Sequence, residues 1–255
     1  MWSIPVLAGF QKKKVMEMRK LIFLGLTIFT LFILFGCKAT HPSKVVTNPD
    51  FNPNEVVDIL VAPVISSISE AEDPNRYSET IMNRVLSEKL SERDDYKFLS
   101  QQQFMFALKK AGLEDRFKKF KEQWIRSHTL DMYFISRLRK ALNTQTMLIP
   151  LVYLWHKDEA DYREESSVSS TQVGATMTLV DMETGKILWE ATDENYKESV
   201  RSEMRSVVVS GGYARRIDGI SATGRDQYAA PPYSDVAVLV VNAIVNALPR
   251  KTAIE

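Results

Sequence analysis

One thiol, three imidazoles, an acidic run and scattered hydroxyls are the groups in this 255-residue chain with chemistry to offer. The thiol is Cys37, the sole cysteine, so neither a disulfide within the chain nor a cysteine-built zinc site has a second sulfur. The imidazoles are His41, His128 and His156; no two share the spacing of a metal pair, and there is no HExxH helix. Each reads as a surface or capping residue. Asp158, Glu159, Asp161, Glu164 and Glu165 form an acidic run that could attract calcium. It lacks the D-x-[DN]-x-[DN]-G order closed by Glu, and a solvated strand connection is the simpler reading. No serine lies in G-x-S-x-G or S-x-x-K, and Gly211-Gly212 has no Gly-Lys-Ser behind it to make a phosphate loop. No catalytic residue, metal ligand or cofactor is assigned, and the chain is not read as an enzyme.

The position of the thiol carries more than its reactivity. Arg19-Lys20 precede an uncharged apolar run, Leu21–Phe35, which closes on Gly36-Cys37. A basic start, an apolar core and a small residue at the cut are the three parts of a secretory signal. Met18-Arg19-Lys20 suffices as its basic start, so Met18 is a candidate first residue. Ending such a signal on cysteine after a small residue resembles the bacterial lipobox, in which the thiol is acylated and becomes the new amino terminus. That resemblance implies lipidation (palmitate) at Cys37. A membrane helix with an incidental cysteine is the alternative, although Leu21–Cys37, at 17 residues, stands at the short edge of the ~17–25 needed to span a bilayer.

Taking 1–36 as signal removes five Lys/Arg and one Glu. The remaining 219 residues then carry 28 basic and 31 acidic residues, against 33 and 32 in the whole chain. A slightly acidic module offers no electrostatic footprint for nucleic acid. Without disulfides it must be held by its core, which 45% apolar residues make feasible.

Positioning elements follow from periodicity. Residues 37–54, rich in Pro, Asn, Thr and Ser, read as a lipidated tether. Residues 55–250 read as a single α/β domain with a helical insert at 113–143 and a long loop at 201–232. Val56–Ile65 is a buried strand in which Pro63 marks an end or bulge. Asp73-Pro74 is an expected N-cap and N1 for a helix carrying Ile81, Val85, Leu86 and Leu90. A short strand, Tyr96–Leu99, precedes Ser100-Gln101-Gln102-Gln103, a capping box for the helix of Phe104, Ala107, Leu108 and Ala111, stopped by Gly112. The insert reads as two helices broken near Ser127–Thr129. Its Phe117, Phe120 and Trp124 stripe is expected to pack inward beneath a solvated basic face, with membrane or partner contact as the alternative. Thr146–Trp155 is another strand, where Pro150 hints at an edge or bulge. Thr171–Leu179 alternates strictly, Asp181–Lys186 turns and Ile187–Ala191 returns, a hairpin with Trp189 buried. Ser234 or Asp235 is expected to cap a last helix, Val236–Leu248, buried over most of its surface.

Val180-Asp181-Met182-Glu183-Thr184-Gly185-Lys186-Ile187-Leu188-Trp189, the Ile59-Leu60-Val61-Ala62-Pro63 strand and the Ser100–Gln103 helix start together resemble a family of bacterial envelope lipoproteins. This is the CsgG/TolB-N/LpoB-like family, and the resemblance spans about 57–112 and 146–199. It implies an α/β fold: a three-layer or two-layer sandwich with a mixed central sheet, an antiparallel hairpin and flanking helices. It implies a non-catalytic, periplasm-facing binding or assembly module that engages another envelope protein. Lys38 after the cysteine, where an aspartate would resemble an inner-membrane retention signal, favours the outer membrane. The expected partners are therefore the membrane, through lipid on Cys37, and an envelope protein, with a homo-oligomer left open. An oligomeric secretion channel of the curli type is the alternative function. It would need amphipathic hairpin strands of ~9–11 residues, and 201–232 shows no such sustained alternation.

Recognition tends to sit on loops and insertions. The segment 201–232 brings Tyr213, Arg215, Arg216, Arg225 and Tyr228, with Tyr233 just beyond, and Tyr and Arg are the types enriched at interface hot spots. These six residues are the expected partner contacts.

Overall fold

Val, Ile, Leu and Thr dominate the strands of a mixed sheet that organises the second of the chain's two units, Thr40–Glu255. The computed structural model describes residues 42–159, 168–199 and 229–252; the first unit, Met1–Ala39, with Cys37 and its apolar run, lies outside them. Seven strands are present among the described residues: β1 (Lys44–Thr47), β2 (Asp58–Val61), β3 (Ile65–Ser66), β4 (Lys97–Leu99), β5 (Thr146–Asp158), β6 (Ser170–Asp181) and β7 (Ile187–Glu198). The sheet runs β1-β7-β6-β5-β2-β4, with β3 also pairing β5. β4, β2, β3 and β5 are parallel, whereas β5, β6 and β7 form an antiparallel meander to whose edge β1 adds antiparallel.

The helices are α1 (Tyr77–Ser91), α2 (Gln101–Ala111), α3 (Glu114–Ser127), α4 (Met132–Leu142) and α5 (Tyr233–Ala247). α1 leads outward from β3 to β4, while α2–α4 lead back from β4 past β2 to β5. Connections that move in opposite directions across a sheet use opposite faces if both are right-handed. Two cores result. One joins α1 and α5 to Ile59, Val61, Val152, Val173, Met177 and Trp189. The other joins α2–α4 to Leu60, Met147, Ile149, Leu151 and Val180. The expected α/β sandwich is thus three-layered, with helices on both faces of the sheet.

Several expectations are met by local chemistry. Ser100 Oγ accepts from Gln103 N at 3.3 Å, Gln103 Oε1 accepts from Ser100 N at 2.7 Å, and Gly112 closes α2 with φ 63°. The insert breaks at His128, whose φ of 52° ends α3. In the hairpin turn, Asp181 Oδ1 accepts from the backbone of Glu183 and Thr184, and Gly185 takes φ 72°.

Four expectations change. Lys44–Thr47, expected within the tether, pair with Ala191 and its neighbours along the outer edge of β7. Three β-branched residues suit a strand, but four residues flanked by Pro and Asn show too little alternation to be read as one. Only Lys38–Pro42 then separate Cys37 from Ser43. Pro150, expected at an edge or bulge, lies in a central strand. Leu148 O and Val152 O accept from Ala62 N and Ser67 N, so Pro150 points its missing N–H to the same side, at the break between β2 and β3 around Pro63. Asp73 serves α1 from further upstream than expected: the helix starts at Tyr77, and the carboxylate accepts from Tyr77 N and Ser78 N at 2.8 Å each. The last helix has Pro232 at its N-cap without a side-chain cap, and Asp235 lies within its first turn.

Candidate functional site

The carboxyl ends of parallel strands are where open α/β sheets place ligands, and here that end holds a cleft of about 410 Å³. Ile65, Ser66 and Ile68 floor it, the start of α1 forms one wall, and Lys118, Lys121, Glu122 and Ile125 of α3 form the other. Ser66 reaches the cleft as the last residue of β3, and its Oγ lies 2.9 Å from that of the fully buried Ser78. Asp73 is the electrostatic centre. Burial pushes its carboxyl up, but hydrogen bonds from Ser78 and Tyr77 and the charge of Arg76 outweigh that and hold it below the usual carboxylate range.

The arrangement limits the chemistry. At the start of α1, a ready anion site elsewhere, the N–H groups of Tyr77 and Ser78 are taken by Asp73 itself. The cations are matched: Arg76 pairs with Glu70 at 3.3 Å and Glu79 at 3.9 Å, Lys121 with Glu79 at 3.9 Å, and Lys118 with Asp115 at 3.3 Å. Ser66 and Ser78 partner each other, and no histidine lines the cleft among the described residues. Among the described residues no group of three His, Cys, Asp or Glu side chains could hold a metal ion.

Beside the cleft lies the root of the long segment. Trp155, near the end of β5, stacks on Tyr233 at 4.2 Å between ring centroids and 10° between planes, with Lys157 Nζ 5.1 Å from the Tyr233 ring. Thr171 Oγ1 donates to Pro231 O at 2.5 Å, and Lys197 pairs with Asp235 at 2.8 Å. Burial, then the nearby Asp73 charge, pushes the Tyr233 hydroxyl up. Of the six expected partner contacts, Tyr233 is therefore an engaged, half-buried ring at the start of α5. Tyr213, Arg215, Arg216, Arg225 and Tyr228 lie outside the described residues, as does Cys37.

The insert resolves one alternative. Phe117, Phe120 and Trp124 are buried, Phe120 stacking on Phe134 at 5.1 Å, so this stripe is core and the basic residues face outward. His156 is an exposed strand residue paired with Asp158 at 3.0 Å. Sequence reasoning missed the Trp155–Tyr233 stack, which joins residues 78 positions apart and leaves no local signature. It also passed over Met105 and Phe106, exposed on α2 at 47% and 69%; they stood in plain view as an apolar pair off the buried stripe.

No family model and no curated protein matches the chain. Among solved structures it is similar to the lipoprotein GNA1162 from Neisseria meningitidis, with 20% identity, 58% of this chain and 88% of that one covered, and a TM-score of 0.43. It is similar to the C-terminal domain of LpoB from Escherichia coli, with 14% identity, 55% and 83% covered, and a TM-score of 0.32. It is also similar to the PelC dodecamer from Paraburkholderia phytofirmans, with 13% identity, 78% and 92% covered, and a TM-score of 0.32. LpoB, one of the proteins that the sequence motifs resemble, is thus among the solved structures to which the chain is similar.

Proposed function

We propose that this chain is a lipid-anchored, non-catalytic binding or assembly module of the bacterial cell envelope, held at the outer membrane, facing the periplasm and engaging another envelope protein. The observation that carries the reading is the uncharged run Leu21–Phe35 closing on Gly36-Cys37, with six residues between that cysteine and the first strand of a folded sheet. The domain's character agrees with it. Its carboxyl end collects a charge-matched cleft and the root of a Tyr- and Arg-bearing segment, a surface suited to recognition rather than bond-making.

Metabolic palmitate labelling with membrane fractionation tests the anchor. Wild-type protein incorporates label and sediments with outer membranes, and Cys37→Ser abolishes incorporation. Labelling that survives Cys37→Ser overturns the reading.

A further inference from the structure

Charge is distributed unevenly over this molecule. Between Gln101 and Asn143 there are ten Lys/Arg and four Asp/Glu. The other residues from Cys37 onward hold 18 basic and 27 acidic residues, so the α2–α4 layer is a basic plate on an acidic body. Its inner face is the aromatic core, which leaves the cations on the outside. Lys109, Lys110, Lys119, Arg137 and Lys140 are all exposed, and none has an acidic partner among the described residues.

Helix dipoles explain part of this, since Lys109, Lys110 and Lys140 occupy last turns. They do not explain Lys119 or Arg137, and they do not explain the apolar pair beside the lysines. Phe106 is followed by Lys109 and Lys110 at helical spacings of three and four, so an exposed ring and two free ammonium groups share one outer stripe of α2. Cations flanking a protruding aromatic suit a surface that rests at the boundary between headgroups and acyl chains.

We infer that the outer surface of α2–α4 docks on an anionic phospholipid bilayer, with Phe106 and Met105 entering the interface and the five unpaired cations meeting headgroup phosphates. The inference rests on the proposed anchor for its reach. β1 lies in the same sheet whose one face α2–α4 cover. A plate one helix thick is ~10–12 Å, and Lys38–Pro42 can span ~17 Å at ~3.3–3.6 Å per residue. The anchor can therefore reach a bilayer on which the plate lies flat. Tethering raises the local concentration of bilayer, so a few weak charge contacts suffice to select this orientation.

The test uses the intact acylated chain reconstituted into vesicles of phosphatidylcholine alone or of phosphatidylcholine with phosphatidylglycerol. A fluorophore on Gln102→Cys reports quenching by nitroxide-headgroup lipids. The expected result is quenching several-fold stronger in the anionic vesicles, reversed by molar salt and lost in Lys109→Glu/Lys110→Glu protein with an unchanged circular dichroism spectrum. Equal quenching in both vesicles overturns the inference, as does quenching indifferent to the charge reversal. A label unquenched in both, but crosslinked in cells to an acidic protein, overturns it in favour of a protein occupant. Failure of the anchor itself reads differently: the chain is then washed from both kinds of vesicle by carbonate.

Discussion

Two buried carboxylates show how differently one residue type is used. Asp73 accepts two backbone N–H bonds at the start of α1 and titrates low, whereas Asp193 on β7 titrates high. Burial dominates at Asp193: Oδ1 accepts from Ser43 N at 3.1 Å, but Oδ2 is buried without a partner, and Glu194 adds repulsion. Their contributions to stability therefore have opposite signs. Asp73, with its pKa depressed, stabilises above the ordinary carboxylate range and ceases to do so as pH falls through its folded value. Asp73→Ala is expected to cost about 1–2 kcal/mol at neutral pH, the scale of a lost helix cap, with the gap from wild type closing in acid. Asp193, with its pKa raised, loses stability as pH climbs from the ordinary range through its folded value. Asp193→Asn keeps the acceptor for Ser43 and removes the charge, so a higher Tm than wild type at neutral pH, and no difference in acid, is the outcome. Thermal melts across pH read both.

At the level of elements, legibility follows the range of the interactions. The capping box of α2, its glycine stop, the turn of the β6–β7 hairpin and the break in the insert are each written in a short stretch of sequence, and all were readable. β1 was not, because its strand character comes from the vacant edge of β7 rather than from its own four residues. Nor was the cap on α1, since Arg76 in a left-handed conformation (φ 51°) inserts extra residues between Asp73 and the helix. The candidate site suffered most: the cleft unites β3, α1 and α3, and the Trp155–Tyr233 stack unites β5 with α5, contacts with no sequence period. The hairpin turn offers a test of how tightly such elements are coupled. At Gly185, φ is 72° and an added Cβ would sit 2.7 Å from Met132 Sδ at the start of α4. Gly185→Ala is expected to destabilise by more than the ~1–2 kcal/mol of a left-handed alanine alone. A companion Met132→Ala change should restore part of that loss in a double-mutant cycle read by urea midpoints.

Across the whole molecule, the two cores share one sheet but not one face, and the cleft and the end of the 201–232 segment lie at a single end of it. Replacing Tyr213–Tyr228 with a short Gly-Ser linker is expected to leave both cores folded and to abolish capture of the envelope partner in crosslinked pull-downs. An unchanged pull-down would remove that segment from the interface, and a drop of many degrees in Tm would make it structural. The same geometry has a mechanical consequence. Ser43 is level with Asp193, Ala175, Val152 and Ser66, so the chain enters β1 at the end of the sheet that bears the cleft. Tension between the amino terminus and a load gripped at that end enters and leaves on the same side. It peels β1 from β7 one rung at a time, beginning at Lys44 and Thr192, instead of shearing four rungs together. Four released residues lengthen the amino-terminal segment by about 13 Å at ~3.3 Å each, while the buried face of β7, with Trp189, stays closed under α5. On a chain anchored at Cys37 as proposed, the edge strand is a fuse: it yields first, and slackens the line before the domain is asked to unfold.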